Sequence, residues 1–134
     1  MRSAPGALDG RALLAGAVVA VAIALPAALL SALVLDDGED TNLVFALLLP
    51  VLAGFGVGGW VAARRAPAGP LANGAVAALC AFALIQGVGV IRRLVADESI
   101  SLPSLAFAAL LAYSCGLLGA LFASRRPRTP ETTR

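Results

Sequence analysis

Residues 13–35 read LLAGAVVAVAIALPAALLSALVL, a run without a single Asp, Glu, Lys or Arg. At about 1.5 Å per residue a helix of this length spans the roughly 30 Å hydrocarbon core of a bilayer. A membrane-crossing strand needs only about half as many residues and alternates apolar with polar ones. No such alternation is present, so the run reads as a transmembrane helix. Three more uncharged runs follow at residues 43–63, 71–91 and 102–123. The expected fold is therefore all-α: a four-helix transmembrane bundle. Its connections, 36–42, 64–70 and 92–101, are short enough to make successive helices antiparallel neighbours.

The bulk composition agrees. Of 134 residues, 60% are hydrophobic and 13% charged. A soluble domain of this size carries about a quarter charged residues and has too small a core to hide the excess apolar surface. The formal charge of +2 is too small to indicate nucleic-acid binding. All the basic residues are arginine, which suits a GC-rich bacterial genome. Pro26 and Pro50 lie inside apolar runs and predict kinks, because membrane helices tolerate proline that soluble ones reject. Pro103 falls in a first turn, where its missing N–H is harmless. Asp40, Thr41 or Asn42 is expected to cap the second helix, and Asn73 to help cap the third.

Arginine placement sets the orientation, since cytoplasmic loops of membrane proteins are enriched in basic residues. With the N-terminus inside, eight of the ten arginines are cytoplasmic: Arg2, Arg11, Arg64, Arg65, Arg125, Arg126, Arg128 and Arg134. The first outer loop then holds Asp36, Asp37, Glu39 and Asp40 and no arginine. The expected layout is a cytoplasmic segment 1–12, a membrane domain 13–123, and a disordered, cytoplasmic, Arg-rich tail 124–134, in a bacterial cytoplasmic membrane. The first run is about twice as long as the hydrophobic stretch of a signal peptide, so it reads as an anchor. Arg92 and Arg93 are the exceptions in the second outer loop. A helix continuing past Ile91 would pair Arg93 with Asp97 and let both arginines snorkel; alternatively the pair recognises anionic lipid or a partner.

Little else carries chemistry. Cys80 and Cys115 lie in apolar runs without metal-ligand spacing and read as two small buried hydrophobes. The acidic loop lacks the frame of a calcium site and reads as a solvated connection. No catalytic, cofactor-binding or metal-binding residues are assigned, and no enzyme activity or cofactor is expected. Gln86, deep in the third run, should face another helix and hydrogen-bond there, or else contact a ligand in a polar cavity. Ser31, Ser104, Tyr113 and Ser114 admit the same two readings, and the serines can also bond back to their own helix. Gly54 and Gly58 form a Gly-x-x-x-Gly step with Gly56 and Gly59 beside it. Gly116 and Ala120 form a small-x-x-x-small step near Gly119. Such steps let backbones approach closely, either within the chain or in a homo-oligomer. Trp60 is placed as an interfacial anchor. Gly58-Gly59-Trp60 before Arg64-Arg65 and Gly116 to Gly119 before Arg125-Arg126 hint at a two-helix duplication.

The stretch GFGVGGWVAARR at residues 54–65, followed by a short turn and LANGAVAA at 71–78, resembles small four-helix bacterial integral membrane proteins of unknown function. Asn73 stands before Gly74 where those proteins commonly carry a His. The resemblance implies the same architecture and brings no activity. Small multidrug exporters also have four helices but depend on a Glu in the first, and residues 13–35 contain no acid. The functional expectation is a structural or accessory bundle whose partners are the lipid bilayer and a protein or second copy; the alternative is a small transporter or channel subunit. On a background lacking Cys80 and Cys115, a Gly38→Cys variant in intact cells should react with an impermeant maleimide added outside. Reaction only after the cytoplasmic face is opened would reverse the assigned orientation.

Overall fold

The computed structural model describes residues 7–34 and 41–125. Four helices account for most of them: α1 (Gly10–Val34), α2 (Thr41–Arg65), α3 (Pro70–Val95) and α4 (Leu102–Arg125). There is no strand among the described residues. Each helix is somewhat longer than its apolar run, because charge marks the edge of hydrocarbon whereas the helix ends where its backbone hydrogen bonds do. Both α1 and α2 run unbroken through Pro26 and Pro50. Pro103 sits in the first turn of α4. Of the capping candidates for α2, Thr41 and Asn42 lie inside the helix, while Asp40, with the acidic loop and most of the Arg-rich tail, lies outside the described residues.

The distribution of side chains is the reverse of a soluble bundle. The buried apolar set is alanine almost throughout, with Phe55 and Phe82 the only large members among the described residues. The large apolar side chains lie outside, with Leu33 and Val95 each 84% exposed and Phe45, Val88, Phe107 and Phe122 at least 60% exposed. A protein in water could not leave so much contiguous apolar surface uncovered. In lipid it is the expected arrangement. All four helices have the length and apolarity to cross a membrane. The chain is a multi-pass membrane protein.

In cross-section the helices form a diamond. Both α2 and α3 touch all three other helices, whereas α1 and α4 do not touch each other. Glycine placement explains why α2 holds the centre. Positions 54 and 58 lie on one face of the helix, and 56 and 59 lie roughly half a turn round. A Cβ at Gly58 would stand 2.5 Å from Ala20 Cβ and 2.6 Å from the Gly16 carbonyl oxygen, and one at Gly54 would stand 3.0 Å from the Ala24 nitrogen. That face seats α1. On the other face, a Cβ at Gly59 would collide with the backbone of Gly116, and Gly119 packs on the carbonyl of Gly56. That face seats α4. On α4 the opposite side of the same small residues receives α3: Gly116 lies against Ala78 and Gly74, and Ala120 lies 2.5 Å from where a Gly74 Cβ would be. Gly54, Gly58, Gly116 and Ala120 therefore all serve contacts within the chain.

These contacts are confined to the end of the bundle that holds both termini, called here the terminal end. Among the described residues nothing is buried beyond Ala24 in α1, before Gly54 in α2, beyond Phe82 in α3 or before Ala112 in α4. Phe55 and Phe82 meet edge to face, with ring centroids 6.3 Å apart, and close the core at mid-height. Toward the opposite, distal end the described side chains are half-buried or exposed. The asymmetry is testable with two glycines. Gly58→Ala should destabilise the bundle by about 1–3 kcal/mol through overpacking. Gly87 has nothing within 4 Å of an added Cβ, so Gly87→Ala should be neutral or stabilise by about 0.5–1 kcal/mol. Thermal unfolding in detergent distinguishes them, and equal midpoints would contradict the packing described.

Candidate functional site

Two places concentrate polar groups, one at each end of the bundle. At the terminal end stands Asn73, the single buried polar residue among those described and 0% exposed. Its side-chain carbonyl accepts from the Asp9 backbone N–H at 2.8 Å. Its amide nitrogen donates to the carbonyls of Gly69 at 3.0 Å and Ala68 at 3.1 Å, with a longer contact to Ala7 at 3.4 Å. One side chain thus fastens the segment entering α1 to the loop between α2 and α3. Such a group is costly to bury without partners, and here both its oxygen and its nitrogen have them.

Asn73 is therefore not the cap of α3. Gly69 occupies that position, with φ 61° and no side-chain cap, and Pro70 follows. The left-handed backbone at Gly69 favours glycine, and Pro70 supplies no N–H to be capped. Asn73 lies one turn inside the helix and turns back to the loop carbonyls. A side-chain cap forms instead at the start of α1. The Asp9 carboxylate accepts from the N–H groups of Arg11 at 2.9 Å and Ala12 at 3.2 Å, and its carbonyl takes the first helical bond from Leu13. An acidic residue a few positions before an apolar run is the sequence signal for this cap. Nearby, the Arg64 guanidinium lies 5.1 Å from the centre of the Trp60 ring, which packs on Ala63, Ala120 and Ala123.

At the distal end a cleft of about 480 Å³ lies between α3, α4 and the connection that joins them. Gln86, Arg92, Arg93, Glu98, Ser101 and Ser104 contribute its polar lining. Gln86 is half-buried and faces this cleft, and among the described residues its amide makes no bond to another helix. The polar cross-link expected of Gln86 is made instead by Asn73, at the other end of the bundle. Ser104 also lines the cleft, Tyr113 is 40% exposed, and Ser31 and Ser114 bond back to the carbonyls of Ala27 and Leu110, each at 2.8 Å.

The α3–α4 turn replaces the expected Arg93–Asp97 pair with a backbone motif. The Glu98 N–H donates to the Arg93 carbonyl at 2.9 Å and the Asp97 N–H to the Leu94 carbonyl at 3.4 Å. Asp97 adopts φ 56°, a left-handed helix ending usually given to glycine and tolerated by Asp. The chain has left the helix before the carboxylate could reach back four residues. No ion pair forms between them. Of the two cysteines, both free, Cys80 is exposed and only Cys115 is partly covered. The reading of both as buried hydrophobes is corrected accordingly: Cys80 lies on a lipid-facing side of α3, where a thiol remains compatible with its surroundings. No group of His, Cys, Asp or Glu among the described residues could hold a metal ion.

Comparison with protein-family models, with curated proteins and with solved structures gives no match. Asn73 can be tested on its own. Asn73→Leu leaves the Asp9 N–H and the Ala68 carbonyl without these partners, at about 1–3 kcal/mol for each group that water cannot reach, whereas the Gly69 carbonyl keeps the backbone N–H of residue 73. Asn73→Asp keeps the acceptor for Asp9 but sets a carboxylate against the carbonyls of Ala68 and Gly69, so it should not restore stability. Both variants should unfold earlier in detergent and speed amide hydrogen exchange at Asp9. Wild-type behaviour of either one contradicts the clamp.

Proposed function

We propose that this chain is a non-enzymatic accessory or structural bundle of a bacterial cytoplasmic membrane, with both termini on the cytoplasmic side. One observation carries the reading. Among the described residues, the fully buried positions of the packed half are alanine, glycine, two phenylalanines and Asn73, whose side-chain oxygen and nitrogen both have hydrogen-bond partners, so its core offers no ionisable side chain to relay a proton. Coupled transporters place an acid or base within the membrane; here the described charged residues lie at helix ends or in connections. Orientation is supported by the gathering of Arg11, Arg64, Arg65 and Arg125 at the terminal end, where a cytoplasmic leaflet would receive them. The likeness of residues 54–78 to small four-helix bacterial membrane proteins supports the same class.

The second reading, a small transporter or channel subunit, draws on the distal cleft and Gln86. It requires a route past Phe55 and Phe82, which meet across the axis. Two measurements separate the readings. Purification in mild detergent should recover a partner in fixed stoichiometry, and reconstituted vesicles should pass no more protons or potassium than empty ones. Flux that Gln86→Leu abolishes would overturn the accessory reading.

A further inference from the structure

We propose that the distal cleft between α3 and α4 is a binding site for the anionic phosphate headgroup of a membrane lipid. The acyl chains leave sideways along the two helices. The inference does not depend on whether the bundle is an accessory component or a transporter, nor on which leaflet the distal end faces.

Position comes first. From Pro70 to Arg92 a helix rises about 33 Å, which brings the arginines to the edge of a hydrocarbon layer about 30 Å thick. Ile91, Leu94 and Val95, in the same turn, are all exposed apolar side chains. The guanidinium groups therefore stand where the helix surface still faces lipid. A water-soluble anion would have to enter that apolar belt, whereas a lipid headgroup already resides there.

Chemistry comes second. Arg92 and Arg93 carry planar forks of N–H donors that fit two phosphate oxygens at once. Ser101 and Ser104 add hydroxyl donors from the start of α4, and Gln86 lies about 9 Å deeper along α3, six residues at helical rise. Glu98 is the single carboxylate in the described lining, so the cleft carries a net positive charge there. Val90, Leu105 and Ala108 supply an apolar wall against which a glycerol backbone and the first methylenes can lie. A volume of about 480 Å³ falls within the range of small-molecule sites, roughly 300–1,000 Å³. Arginines that merely snorkelled to the interface would need neither the cleft nor its serines.

That difference defines the test. Full-length protein in nanodiscs containing equal phosphatidylglycerol and phosphatidylcholine is released into the mass spectrometer, and the lipid retained per chain is identified. The wild type should retain one phosphatidylglycerol with a preference of about tenfold, equivalent to about 1.4 kcal/mol. Arg92→Gln/Arg93→Gln should abolish the preference. Gln86→Leu/Ser104→Leu fills the cleft without changing charge and should abolish it too, with helix content by circular dichroism unchanged. Equal retention of the two lipids by the wild type overturns the proposal, as does a preference that survives filling the cleft. Displacement of the lipid by millimolar glycerol 3-phosphate overturns it as well, since the site would then take a soluble phosphate.

Discussion

A peptide group inside hydrocarbon has no water to bond with, and that constraint shapes the rest of this molecule. It forces the four uncharged runs into helices, which satisfy their own backbones. It also removes the force that assembles soluble bundles, because a leucine gains nothing by leaving lipid for another leucine. Association must come from close backbone approach. The sequence supplies it by placing glycine and alanine inward and the large side chains outward. The two glycine faces of α2, Gly54 with Gly58 and Gly56 with Gly59, seat α1 and α4 on opposite sides. This makes α2 a hub and keeps α1 and α4 apart.

The same logic divides the bundle along its length. Near the termini, alanine and glycine draw the helices together, and Asn73 ties the entry of α1 to the turn before α3. Past Phe55 and Phe82 side chains such as Ile85, Leu105 and Ala108 still pack against the core, but none is fully buried among the described residues. The polar residues of α3 and α4 then gather in an open cleft. The packed half is thus lined by small side chains, and the distal half carries a recess with polar groups beside large lipid-facing side chains.

Much of the architecture was legible in the sequence because hydrocarbon imposes a simple rule on composition. The four spans, the helical continuity through Pro26 and Pro50 and the harmless position of Pro103 follow from length and chemistry. The Gly-x-x-x-Gly step at Gly54 and Gly58 announced close packing, but its partner on α1 could not be read, since Gly16 and Ala20 belong to a run with many small residues. Asn73 was visible as polar, yet its bond to the Asp9 amide joins positions 64 apart and depends on how two helix ends meet. Gln86 shows the opposite case. Its place in an apolar run suggested an interhelical bond, but it lies on the side of α3 that faces the cleft rather than on the side packed into the core. Asp97 ended α3 in a left-handed turn that no periodicity in the sequence marks.

The central claim is that four hydrogen-bonded helices cross the bilayer. Polarised infrared spectroscopy of the protein in oriented bilayers tests it most directly. An amide I band of helical frequency, with its transition moment aligned mainly along the membrane normal, is the result the account requires. A sheet-type band, or helices lying in the plane of the membrane, would contradict it.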